Sequence, residues 1–229
     1  MSGAGAASPY GSWHLAVLIG TAATAGAMVL ARPVLAGRDD RVIRRWLAGV
    51  VLAAGASGWI AGLARHQMVL PLQVCDLATL LAAWALLSLR PFVCVWAYGW
   101  GLAGSVQAML TPALSVPCPS FWWLQFFAAH SAVVLSAAYL AVTGRVRMRA
   151  SSVWQIWGVT NAYAALAGLI NWAAGTNYGF LAHKPAQPSL LDWLGPWPVY
   201  LVGLDAAALA SFWICYAPFA RAARAAGTR

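Results

Sequence analysis

The sequence predicts an all-α, polytopic membrane protein: a compact bundle of seven transmembrane helices, N-terminus outside and C-terminus inside. Three observations carry that reading. The 229 residues are 62% hydrophobic and only 8% charged, and the mean hydropathy is +0.71, far too little charge to clothe a soluble domain. The apolar residues fall in runs of about 20, the length that crosses about 30 Å of hydrocarbon. The basic residues punctuate those runs instead of lining one face, which argues against a nucleic-acid partner despite the net charge of +9.

The spans are predicted at 13–35, 46–64, 72–89, 91–110, 121–143, 153–174 and 196–218. They form one domain over 1–229, with a short tail 1–12 and a basic tail 219–229. The first opens at Trp13 without a positive n-region, so it reads as a retained helix, although Val34-Leu35-Ala36-Gly37 weakly resembles a cleavage site. The second carries Gly49, Gly55, Gly58 and Gly62, and the fourth Gly99, Gly101 and Gly104. Small residues let helices approach closely in lipid, so both are packing seams. The third, fourth and seventh begin at or near Pro71, Pro91 and Pro196, where a missing N–H costs least. The fifth follows the proline-rich stretch Thr111–Ser120, and the sixth follows Arg145, Arg147 and Arg149.

Lysine and arginine placement tests this parse independently. Twelve of the fourteen fall in connections on the C-terminal side of the membrane, including Arg32, Arg38, Arg41, Arg44, Arg45 and Arg90. Only Arg65 and Lys184 fall on the other side. The positive-inside rule then sets N-out, C-in, and a six- or eight-span parse would break the alternation. Thirteen of the basic residues are Arg and Ala is abundant, a bias that points to the plasma (inner) membrane of a GC-rich bacterium.

The outer side holds the long, aromatic connection Gly175–Gly195. Such loops are functional or disordered, and one dense in Trp, Tyr and Leu reads as a lid, with Asn177, Tyr178, His183, Asp192 and Trp197 as its candidate residues. An interfacial aromatic belt is the alternative.

Polar side chains within the spans carry the functional reading. Cys75 and Asp76 lie about one turn inside the third span, next to Gln73. His130 lies roughly 14 Å into the fifth, with Gln125 shallower on the same helix. Asn161 and Asn171 are on the sixth span, and Asp205 is near the middle of the seventh. Lipid offers such groups no partners, so they gather either in one cavity or in a hydrogen-bonded structural knot. Thiol and imidazole together are the minimum for covalent acyl transfer. In that chemistry Cys75 is the nucleophile and His130 the base. Asp76 sits about 100° round the helix and so orients a partner, while Thr79 is a spare hydroxyl one turn on. His14 reads as interfacial and His66 as solvated. No metal-ligand spacing and no cofactor motif is present. The rival for Cys75 is a disulfide to Cys118, whereas Cys94 and Cys215 read as packing residues.

The segment Leu70-Pro71-Leu72-Gln73-Val74-Cys75-Asp76-Leu77, Phe126-Phe127-Ala128-Ala129-His130, Asn161, Asn177-Tyr178 and Leu194-Gly195-Pro196-Trp197-Pro198 together resemble the YwaF-like integral membrane family, the group that includes transmembrane protein 164. The resemblance runs from about Trp59 to Phe219. It implies a compact bundle and a relation to membrane acyltransferases and lipid hydrolases with a Cys–His pair, placing Cys75 at the nucleophile position and His130 at the histidine. Asp76 departs from the animal branch.

The expected function is therefore a membrane-embedded acyltransferase or hydrolase that takes a phospholipid acyl ester through a Cys75 thioester, with membrane lipid as partner. A solute or proton transporter or receptor built on the same polar cluster is the alternative, and a structural membrane partner the third. The seventh span has no lysine for a retinal Schiff base, which disfavours a rhodopsin.

Overall fold

A computed structural model describes residues 10–36, 39–65 and 70–227. The described residues contain helices and no strand: α1 Ser12–Leu30, α2 Arg32–Ala36, α3 Arg41–Ala64, α4 Val74–Ser88, α5 Pro91–Leu110, α6 Phe121–Val142, α7 Ala150–Ala174 and α8 Val199–Gly227. Two short 3-10 turns, Tyr178–Phe180 and Leu190–Leu194, lie between α7 and α8. His66, Arg38, Arg229 and most of the tail 1–12 fall outside the described residues.

Each predicted span overlaps a helix, with physical differences at the ends. The first splits at Ala31 into α1 and α2, because Pro33 lacks an N–H for the carbonyl one turn back and its ring crowds that carbonyl. α3 starts five residues earlier than predicted, taking in Arg41, Arg44 and Arg45. α8 runs on to Gly227 through Pro218. Among the described residues, four helices are long and apolar enough to cross a membrane: Ser12–Leu30, Arg41–Ala64, Phe121–Val142 and Val199–Ala225. α4, at 15 residues, spans only about 22 Å by itself.

The core lies where α4, α5 and α6 meet, around Leu86, Val93, Cys94, Val133 and Leu140, all at most 2% exposed. Glycines set the helix separations. A Cβ on Gly101 would lie 3.1 Å from Ala137 Cβ and 3.3 Å from Val133 Cγ1, and one on Gly55 would lie 2.8 Å from Thr79 Cγ2. The α7–α8 hairpin rests on this core chiefly through α5, where Tyr98 donates to the Cys215 carbonyl (3.1 Å) and Trp100 Nε1 donates to Thr160 Oγ1 (2.9 Å).

The bundle has two unlike ends. One carries Arg41, Arg90 and the Arg145–Arg149 connection, and is called here the basic end. A buried knot holds it together: Asp40 accepts from Arg44 Nε (2.9 Å), Tyr139 Oη (3.2 Å) and Arg145 (3.5 Å). Arg44 also donates to the Leu86 carbonyl (2.5 Å), one of the orphan acceptors at the end of α4. Burial opposes the charge on Asp40, but Arg44, Arg145 and Tyr139 together hold its carboxyl below the usual carboxylate range. At the opposite end α1 is pinned by His14. The interfacial reading of His14 is corrected: it is 8% exposed, with Nε2 donating to the Met109 carbonyl at 2.8 Å.

A candidate thiol–imidazole site under a loop cap

The start of α4 is fixed from three directions. Leu70 to Leu72 makes a tight turn about Pro71, the Leu72 N–H donating to the Leu70 carbonyl (2.7 Å), and Gln73 caps the helix in extended geometry (φ −63°, ψ 149°). Asp76 Oδ2 accepts from the Gln73 N–H (3.1 Å), closing a capping box. Its Oδ1 accepts from Trp59 Nε1 of α3 (2.9 Å). Asp76 is thus occupied as cap and interhelix tie, which accounts for a carboxylate at this apolar boundary. From α7, Tyr163 Oη donates to the Leu72 carbonyl (2.8 Å).

The cap supplies the third direction. Tyr178 Oη accepts from the Leu70 N–H (3.1 Å), and the Gly179 N–H donates to Gln73 Oε1 (3.0 Å). Gly179 is in the left-handed region (φ +65°), and a Cβ there would meet Tyr163 Oη at 3.3 Å, so only glycine lies comfortably in this bend. Asn171 holds the bend from below, giving Nδ2 to the Tyr178 carbonyl (3.0 Å) and receiving the Tyr178 N–H (2.7 Å) and the Thr176 hydroxyl (2.9 Å) on Oδ1.

The remaining lid candidates knit the cap to itself. Asn177 donates to the His183 carbonyl (2.8 Å), Trp197 Nε1 donates to the Leu181 carbonyl (3.1 Å), and Asp192 accepts from the Ser189 N–H (2.8 Å) and pairs with Lys184 (3.8 Å). Gln187 reaches across to Ser115 Oγ (2.8 Å) in the connection before α6.

Beneath the cap Cys75 is a half-buried free thiol in the first turn of α4. All four cysteines are free, and Cys118 packs beside the Met109, Trp123 and Phe127 cluster instead of bridging to Cys75. Thr79 is not spare: its hydroxyl donates to the Cys75 carbonyl (2.9 Å), and its methyl seats on Gly55. Gln125 lies against Gly58 and donates to the Ala54 carbonyl (3.0 Å), tying α6 to α3.

His130 is 6% exposed on α6. Its Nδ1 lies 2.7 Å from the Phe126 carbonyl, and its ring stacks on Phe126 with centroids 4.1 Å apart. A carbonyl can only accept, so Nδ1 carries the hydrogen and Nε2 is left as the basic nitrogen. α5 relates its depth to that of Cys75. Gly104 faces Val74, while Gly101, one turn away, faces Val133 and Ala137; His130, about one turn from Val133 on antiparallel α6, is therefore level with the start of α4. Cys75 shares the face of α4 that Thr79 turns toward α3, whereas His130 lies on the α5 side of α6. No hydrogen bond joins them.

Asn161 and Asp205 belong to a second cluster. Asp205 Oδ1 accepts from Trp157 Nε1 (2.8 Å) and Asn161 Nδ2 (2.9 Å), clasping α7 to α8. Sequence reasoning missed Trp59 and Tyr163, whose polar atoms reach the α4 start from distant positions without a local motif. It also missed the Asp40 knot, which the Asp40–Arg44 spacing of four residues could have disclosed.

The family model for the TMEM164 family matches residues 9–216. The chain belongs to the TMEM164 family. It is accordingly a membrane protein, in keeping with its apolar helices. The matched stretch includes the whole α4 start, His130 and the cap, so every group described above lies in the part of this TMEM164-family chain that defines its membership. No match to this chain is found among curated proteins or among solved structures.

Proposed function

We propose that this TMEM164-family protein is a seven-span, N-out/C-in membrane acyltransferase or lipid hydrolase that uses Cys75 as nucleophile and His130 as base. The observation that carries the reading is a buried histidine, level with the thiol, whose Nδ1–H is committed to the Phe126 carbonyl so that Nε2 is the proton acceptor. In the reaction Nε2 takes the Cys75 proton and the thiolate adds to a phospholipid ester carbonyl. The intermediate expels the lipid alkoxide, which recovers the proton from Nε2 and leaves a thioester on Cys75. Water or a second lipid hydroxyl then gives its proton to Nε2, attacks the thioester and releases the thiol. The N–H groups at the α4 start favour the thiolate and the oxyanion. The mechanism requires that substrate binding bring the pair, which no hydrogen bond joins in the free protein, to hydrogen-bond distance.

Labelling of purified protein with an acyl probe tests this. Cys75→Ala abolishes labelling, and His130→Ala slows it by about 10²- to 10⁴-fold. Labelling that survives Cys75→Ala defeats the assignment. Reporter fusions at Gly227 test the orientation, and fractionation of the source cells tests residence in a bacterial plasma membrane.

One observation favours a second reading. Asp205, less than two turns into α8, has two neutral donors and no cationic partner among the described residues, the setting of a proton or solute site in membrane carriers. Proton or solute flux through proteoliposomes that Asp205→Asn abolishes, with Cys75→Ala silent, would favour it over the thioester.

A further inference from the structure

A crevice between helices lies on the side of the bundle away from the thiol. Leu77, Leu80 and Leu81 of α4, Trp96 and Trp100 of α5, and Val159 of α7 enclose about 400 Å³, within the range of small-ligand sites. Its walls are apolar, and the indole N–H of Trp100 is already committed to Thr160. Leu77 lies about 160° round α4 from Cys75, so the crevice is separate from the thiol–imidazole site. From Leu77 to Trp84 it runs about 10 Å along the helix axis.

Its two ends differ. Toward the cap it is closed by Tyr163, whose ring meets Trp100 edge-on at 5.9 Å and whose hydroxyl is bound to the Leu72 carbonyl. Toward the basic end it opens between Trp84 and Trp96, both touching Phe92 edge-on at 6.0 and 5.6 Å. Arg90, two residues before Phe92, caps α5 at this mouth. It is exposed and forms no ion pair among the described residues. A cation without an ion pair near the open end of an apolar crevice, flanked by aromatics, complements one kind of bilayer molecule: anionic headgroup outside, hydrocarbon within.

We propose that the α4–α5–α7 crevice holds one acyl chain of an anionic phospholipid from the leaflet at the basic end, with its phosphate on Arg90. This site is independent of the thioester chemistry. The aromatic mouth positions the glycerol region, and the Tyr163–Trp100 contact limits how far the chain reaches.

The test uses full-length protein in phosphatidylcholine nanodiscs doped with phosphatidylglycerol carrying a mid-chain diazirine, and in parallel with the same photoprobe built on phosphatidylcholine. Crosslinks from phosphatidylglycerol concentrate on residues 77–84 and 96–100 and around Val159. Arg90→Ala lowers them about fivefold, the effect of one basic residue near an anionic surface, Arg90→Lys retains them, and the phosphatidylcholine signal is indifferent to both. Leu80→Trp, at a position 40% exposed and therefore tolerant of bulk, blocks both probes. Cys75→Ala leaves every crosslink in place, so loss of acyl labelling and loss of the slot are read separately. Crosslinks spread evenly over lipid-facing helices, or indifference to Arg90→Ala, overturn the proposal. Should Leu80→Trp fail to fold, the Arg90 comparison decides.

Discussion

Replacing Asp40 by alanine isolates what holds the basic end of the bundle together. Asp40 is 3% exposed and receives three donors, of which Arg44 at 2.9 Å is the strongest and is itself 9% exposed. Removing the carboxylate strands the Arg44 guanidinium with only the Leu86 carbonyl as partner, and an uncompensated buried charge costs about 3–5 kcal/mol. Arg145, with 39% of its side chain exposed and 3.5 Å from Asp40, contributes less than about 1 kcal/mol of this. Most of the loss therefore runs through Arg44. Unfolding in mixed micelles titrated with denaturing detergent measures the difference. Adding Arg44→Leu to Asp40→Ala should recover part of the loss, with a coupling of about 0.5–3 kcal/mol. If Asp40→Ala falls within about 0.5 kcal/mol of the unmodified protein, the knot is not a stabilising element and the argument is wrong.

The same group sets an acid limit. The folded carboxyl titrates below its unfolded value, so its contribution is complete above the unfolded value near about 3.9 and is lost as pH falls through the folded one; detergent unfolding repeated from neutral to strongly acid pH should show a loss that Asp40→Asn lacks. Gly55→Ala drives a methyl into Thr79 Cγ2 and should cost about 1–3 kcal/mol, with Thr79→Ser as partial rescue in the same titration; an unchanged midpoint refutes the close approach. Asn171→Ala frees the backbone of Tyr178, a loss of about 1–3 kcal/mol per buried group left unsatisfied. It should speed limited proteolysis within 176–183 while leaving the other connections as resistant as before.

The helices were legible because hydropathy runs and proline placement report directly on which segments bury backbone polar groups internally. Pro91 marks the first turn of α5 as expected. Pro33 was visible too, but a 23-residue apolar run concealed its break. The site was legible only as residue types at depths. Cys75, His130 and the Tyr178 loop stood out because thiol, imidazole and long aromatic connections are scarce in such a chain. Who bonds whom was not: Asp76 looked like a catalytic helper, yet its oxygens serve Gln73 and Trp59. Asn161 and Asn171 looked alike on one helix, yet one clasps α8 and the other braces the cap. Those partners lie anywhere from 3 to 44 residues away in sequence, and residue type and depth do not say which of them wins.

The three ties that fix the α4 start from α7 and the cap join positions 91, 108 and 106 residues apart. During synthesis α4 leaves the ribosome long before Tyr163, Tyr178 or Gly179 exists. The thiol-bearing turn thus waits through the synthesis of three further helices without these three ties. Proteins truncated before Tyr163 should therefore form the earlier helices and yet leave the start of α4 without any of these three ties.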